Sequence, residues 1–173
     1  ASAYGKLSIM VPMIISLDEV IFIKQMVKLA KENLDKREIK YDNDVKIGIM
    51  IETPAAAIMS DVLAQHVDFF SIGTNDLSQY TLAIDRVNPN LTSSFNPHHP
   101  AILRLIKMTI ENAHKHGIIA GICGELGRDP ELLPFFLKIG VDELSVSPAY
   151  VLSLRKRISE LEIKDIEPED YLY

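Results

Sequence analysis

A chain of 173 residues, 47% of them hydrophobic, can bury a core and has the length of one domain or of a large piece of one. Its net charge of −6, without a long run of Lys or Arg, argues against broad nucleic-acid or anionic-membrane binding, so an anionic ligand must be met by locally placed arginines, backbone donors or a metal ion. The single cysteine, Cys123, excludes an internal disulfide framework and any C-x-x-C motif, and no apolar run approaches the roughly 18 residues that cross a bilayer.

Ala1 to Lys6 lack the pattern of a signal peptide, which makes a cytoplasmic setting the expectation. Residues 7–13 are the first expected strand, and Ser16-Leu17-Asp18-Glu19 is a capping box that opens a helix. Residues 45–51 form a second apolar strand that ends abruptly on Glu52, followed by Thr53-Pro54, a proline placed directly after an N-cap. Residues 67–72 form the third strand, and Gly73-Thr74-Asn75-Asp76 turns into the next helix. Pro-rich residues 88–100 are the longest irregular connection, of a length usually reserved for function or insertion. Gly117, after Lys115-His116, closes a helix and enters a strand over 118–122. Asp129-Pro130 opens another helix, Gly140 closes it, residues 143–146 form a fifth strand, and Ser147-Pro148 begins the last helix.

This β-α alternation fits either an open doubly wound sheet or a (β/α)₈ barrel, and both place ligands at the carboxyl ends of the strands. A barrel needs eight strands in about 250 residues. Five strands in this length would be an incomplete barrel, and the chain a piece of a longer protein.

Polar chemistry gathers at those strand ends. Glu52 and Asp76, on adjacent ends, can share one hard divalent cation, because Mg²⁺ takes one or two carboxylates with water and ligand phosphate completing its octahedron. Each can equally be a first-turn acid favoured by a helix dipole. Asn75 can hold phosphate oxygens at a helix start or cap that helix with an Asx turn. Arg86 can clamp a phosphate or carboxylate at two points, or pair with Asp85 on the surface. Cys123, between Gly121 and Gly124, can donate a proton or attack as a nucleophile, or be inert packing. The glycines do not match G-x-G-x-x-G, and no P-loop is present. His66, His98, His99, His114 and His116 sit beside prolines or at helix ends and read as structural or solvated, none as a phosphoryl acceptor.

Three segments carry a family resemblance: IGIMIETPAA at 47–56, VDFFSIGTNDLSQYTLAIDR at 67–86 and CGEL at 123–126. The chain resembles enzyme I of the bacterial sugar phosphotransferase system over nearly its whole length. The matching region is the later part of the phosphoenolpyruvate-binding (β/α)₈ barrel, about its last five β/α units. The resemblance implies that Glu52 and Asp76 hold Mg²⁺, that Asn75, Asp76 and Arg86 bind phosphoenolpyruvate, and that Cys123 protonates the methylene carbon of enolpyruvate. It also implies a histidine phosphocarrier protein as partner and a homodimeric parent. The phosphoacceptor histidine, the carrier-binding domain and further arginines are then expected outside residues 1–173, and the chain alone is expected to be inactive. Pyruvate phosphate dikinase and phosphoenolpyruvate synthase resemble the same Gly-Thr-Asn-Asp and Cys-Gly-Glu segments, and a non-catalytic dimerisation piece is a further alternative.

Overall fold

The computed structural model describes residues 1–91 and 95–173, so part of the connection expected over 88–100 lies outside the described residues. Five strands form one parallel sheet: β1 (Ser8–Val11), β2 (Lys46–Ile51), β3 (Phe69–Gly73), β4 (Ile119–Cys123) and β5 (Glu143–Leu144). Their spatial order is β1-β2-β3-β4-β5, the order of the chain. A doubly wound sheet reverses its order at a switch point, whereas a barrel adds each strand to the same side of the last. The sequential order therefore selects a barrel-type winding, left open here with β1 and β5 at its edges.

Helices α1 (Leu17–Lys36), α2 (Pro54–Ile58), α3 (Ser60–Leu63), α4 (Thr74–Leu82), α5 (Pro100–Lys115), α6 (Leu133–Lys138) and α7 (Pro148–Glu160) fill the connections. Side chains alternate between the two faces of a strand, so one face of the sheet carries Ile47, Ile49, Ile51, Phe70, Ile72, Ala120 and Ile122. All are buried, and all but Ile47 share a cluster with Ala56 and Ala57 of α2 and with Ile102, Ile106 and Ile110 of α5. Burial of each such side chain is worth about 1.5–3 kcal/mol, and this layer is the core. The opposite face carries Met10, Met50, Ser71, Cys123 and Glu143, and it is partly open: Met10 and Ile119 are exposed. On that face the Phe69 ring lies over Gly48, where an added Cβ would come within 2.4 Å of ring carbons, so only glycine fits.

Several helix signals are realised atom by atom. Ser16 accepts from the Glu19 N–H while Glu19 accepts from the Ser16 N–H, the reciprocal capping box. Gly117 and Gly140 have φ of 72° and 83°, the left-handed conformation that lets each helix turn directly into the following strand. Asp129 behaves differently from the expectation, because α6 starts only at Leu133. Its Oδ1 accepts from the Glu131 N–H and its carbonyl from the Leu133 N–H, making a turn ahead of the helix. The first strand is also shorter than residues 7–13: Pro12 has no N–H to donate, and Met13 turns left-handed with φ 58°. The fifth pairs over two residues and is extended by a bond from the Ser145 N–H to the Ile122 carbonyl.

Three of the five histidines make structural side-chain bonds. His99 accepts from the Ala101 N–H at the start of α5, His98 bonds Asp129 at 2.6 Å, and His114 bonds Asp142 at 2.9 Å.

Thr53 joins two layers, accepting from the Ala56 N–H at the start of α2 and donating to the Ile14 carbonyl at 2.7 Å from a buried position. Thr53→Val keeps its shape but removes the cap and strands a buried carbonyl. Its expected cost is about 2 kcal/mol of unfolding free energy, measured by urea denaturation; an unchanged midpoint would contradict this role.

Candidate functional site

The carboxyl ends of β2, β3 and β4 meet at one rim. Glu52 directly follows β2, and the residue is only 4% exposed. Its Oε1 accepts from the Met13 N–H at 2.8 Å, so the left-handed turn after β1 fixes the direction of the side chain. Gly73, at the end of β3, faces it: an added Cβ there would stand 2.9 Å from Glu52 Oε2 and from Met50 Sδ. The tight approach of β3 to β2 therefore needs glycine.

Asp76 lies in the first turn of α4, near enough for its side chain to act on the Glu52 carboxyl. Burial is the main influence on Glu52 and pushes its carboxyl above the ordinary value; the Met13 N–H opposes this, and the charge and hydrogen bond of Asp76 add to it. Two carboxylates this close cannot both ionise comfortably unless a proton or a cation lies between them. The hard oxygen donors suit Mg²⁺, which is commonly held by two carboxylates and otherwise by water and substrate oxygens. Among the described residues no cluster of three or more His, Cys, Asp and Glu forms an all-protein cage for a metal.

Asn75 joins this turn to the next. Its Oδ1 accepts from the Glu125 N–H at 3.0 Å, which leaves its amide NH₂ as the group available to an anion. Thr74 donates to the Cys123 carbonyl at 2.9 Å, so two consecutive residues of α4 clamp the end of β4. Gly124 passes beneath them with φ 95°, and a Cβ there would lie 2.5 Å from Thr74 Oγ1. The Cys123 thiol, half-buried on the open face, receives a bond from Ser71 Oγ at 3.4 Å and points toward the Ile72 carbonyl at 3.5 Å.

Arg86 reaches the same end of the sheet because α4 stops at Ala83, left-handed with φ 54°, and the Arg86 N–H then bonds Gln79 Oε1. Asp85 is turned to its own backbone, accepting from the Val87 N–H, and among the described residues Arg86 forms no ion pair. A cleft of about 550 Å³ is lined by Asn75 and Arg86 together with Ser78, Glu125, Arg128 and Tyr150. Glu52, Asp76 and Cys123 are not among its walls; they lie at the rim, Asp76 one residue beyond Asn75. Arg128 and Tyr150 were not singled out by spacing, although Arg128 follows a strand end as Asp76 does.

A family profile described as "PEP-utilising enzyme, PEP-binding domain" matches residues 1–163. The chain belongs to this family. Among curated relatives of this PEP-binding domain, "Phosphoenolpyruvate-protein phosphotransferase" of Mycoplasma capricolum subsp. capricolum is 49% identical over 162 residues, covering 94% of the chain and 28% of the relative. The proteins of the same name from Priestia megaterium and Haemophilus influenzae are 45% and 44% identical, covering 97% and 95% of the chain. The chain spans less than a third of the length of these relatives. Among solved structures, a citrate lyase of Burkholderia xenovorans superposes with a TM-score of 0.62 at 19% identity, covering 91% of the chain and 50% of that protein. The citrate lyase beta subunit of M. tuberculosis, complexed with oxaloacetate and magnesium, superposes at 0.59 and 16%, covering 87% and 60%. At these identities the two share the fold of the PEP-binding domain, an α/β parallel sheet of barrel type.

The strain between Glu52 and Asp76 can be measured without ligand. Glu52→Gln keeps an oxygen for the Met13 N–H and removes one buried charge. In the absence of divalent cations, the variant is expected to melt at or above the wild-type temperature. A loss of more than about 1 kcal/mol would show that the two carboxylates do not repel.

Proposed function

We propose that this chain is the metal- and substrate-binding part of a phosphoenolpyruvate-protein phosphotransferase, the later portion of a (β/α)₈ barrel whose N-terminal phosphohistidine and carrier-binding domains lie elsewhere in the parent protein. The observation that carries the proposal is the buried Glu52 carboxylate facing Asp76 at the ends of neighbouring strands, one residue from the Asn75–Arg86 cleft. Family membership and the names of the relatives support phosphoenolpyruvate as the ligand.

Glu52 and Asp76 would hold Mg²⁺, which when bound supplies positive charge against the phosphate and carboxylate of phosphoenolpyruvate. Asn75 donates from its amide NH₂ to the phosphate, and Arg86 receives two of its oxygens on a planar guanidinium. These groups orient the phosphorus toward an acceptor histidine of the parent enzyme, from which the phosphoryl group passes to a histidine phosphocarrier protein. Positioning and charge stabilisation account for most of the acceleration in such transfers. Cys123, as the thiol, gives its proton to the methylene carbon left after the phosphoryl group departs, forming pyruvate. Ser71, bonded to its sulfur, orients it.

Exposed Met10 and Ile119 on the inner face, and the open β1 and β5 edges, support packing against further barrel strands in the parent. The chain alone is then inactive. The parent is a cytoplasmic homodimer in this reading; among the described residues no helix is long and apolar enough to cross a membrane.

In the complete protein, Glu52→Gln and Asp76→Asn are each expected to abolish Mg²⁺-dependent phosphorylation of a histidine phosphocarrier protein by phosphoenolpyruvate. Cys123→Ala is expected to retain phosphoryl transfer while releasing pyruvate slowly. Wild-type phosphorylation in either carboxylate variant would refute the metal assignment, and unchanged pyruvate release would refute the proton donor. A requirement for ATP would refute the phosphotransferase itself.

A further inference from the structure

Arg128 has no part in the chemistry above, yet it stands in the same cleft as Asn75 and Arg86. It ends the short 3-10 helix Glu125–Arg128 that follows β4, so its position is set by the strand end that Thr74 and Asn75 clamp. Its guanidinium carbon lies 4.7 Å from the centroid of the Tyr150 ring, in the first turn of α7. Stacking of this kind is attractive and holds the plane of the guanidinium while leaving its N–H edges free for an anion. Its carboxylate contact is weak by comparison: Glu125 is 3.9 Å away, and both side chains are well exposed. Asp129, the other acid on the cleft wall, is engaged by His98 at 2.6 Å. Burial raises the Asp129 carboxyl, but its bonds with His98 and with the Glu131 N–H prevail and hold it below the ordinary value.

A second observation points to a ligand. Ser78, one turn after Thr74 on α4 and 1% exposed, also lines the cleft, and its hydroxyl has no hydrogen-bond partner among the described residues. Buried hydroxyls are almost always paired, so one left over beside two arginines indicates a missing polar partner.

We infer that Arg128, positioned by Tyr150, is a second guanidinium anchor alongside Arg86 for the phosphate-bearing ligand of this cleft. The inference rests on the phosphoenolpyruvate reading for the identity of that ligand but not for its charge. Phosphoenolpyruvate carries a phosphate and a carboxylate, and two planar guanidiniums can each take a pair of oxygens. In this arrangement Tyr150 is a positioning residue and touches no substrate.

The test titrates the chain with two probes, inorganic phosphate without metal and phosphoenolpyruvate with Mg²⁺, followed by NMR shifts; melting without ligand controls for folding. Arg128→Ala and Arg128→Gln are expected to bind phosphate about tenfold more weakly than wild type, the loss of one charge-assisted contact. Tyr150→Leu should lose a comparable share, and Tyr150→Phe, which keeps the ring, should bind as wild type does. Wild-type affinity in both Arg128 variants, or no response of the wild-type chain to phosphate, would overturn the inference. If the variants lose phosphate while phosphoenolpyruvate with Mg²⁺ binds no better than phosphate, the Arg128 anchor stands and the phosphoenolpyruvate reading fails. The reverse holds if phosphoenolpyruvate binds tightly and equally to wild type and the Arg128 variants.

Discussion

A carboxylate held away from water beside a second carboxylate is the constraint around which this rim is organised. Glu52 cannot retreat: Ile51 is wholly buried on one side and Thr53 caps α2 on the other, while the Met13 N–H fixes one oxygen. Gly73 closes the remaining space, so the carboxylate is directed at Asp76. Burial and like charge both work against ionisation there, and a folded protein keeps such an arrangement only where something compensates it. In the proposed function a divalent cation would do so directly, and an anionic ligand could then approach a rim that would otherwise repel it.

The neighbouring strands extend the same logic to the ligand. Parallel β3 and β4 end in register, with Gly73 opposite Cys123. Thr74 and Asn75 therefore reach across to bond the backbone after β4. One turn thus supplies a carboxylate to the rim, an amide to the cleft and a brace for the thiol-bearing strand. Rigid strand ends, not long loops, set most of these positions, as would suit the proposed transfer by orientation and charge.

Much of this was legible in the residues. Apolar runs ended by Glu52, by Asn75-Asp76 and by Cys123 marked three strand ends on one rim, because hydrophobic period and turn chemistry are local properties. The choice between a doubly wound sheet and a barrel was not legible from periodicity, since the side on which each strand joins the sheet leaves no trace in an apolar run; only the family resemblance pointed to the barrel, and the spatial order then decided it. Strand lengths were overestimated where backbone chemistry intervened, at Pro12 and the left-handed Met13. The Met13 bond to Glu52 and the Arg128–Tyr150 stack were not legible for a different reason. They join residues 39 and 22 positions apart, brought together only by the returning β-α units.

Glu52 and Asp76 are proposed to hold a cation between them, and paramagnetic Mn²⁺ reports that directly even when binding is weak. Titrated into the labelled chain, Mn²⁺ is expected to broaden first the amide signals of Met13, Thr53 and residues 73–76, and to lose this pattern in Glu52→Gln. Broadening that begins instead at exposed acids such as Glu131 or Glu160, or that is unchanged in the variant, would contradict it.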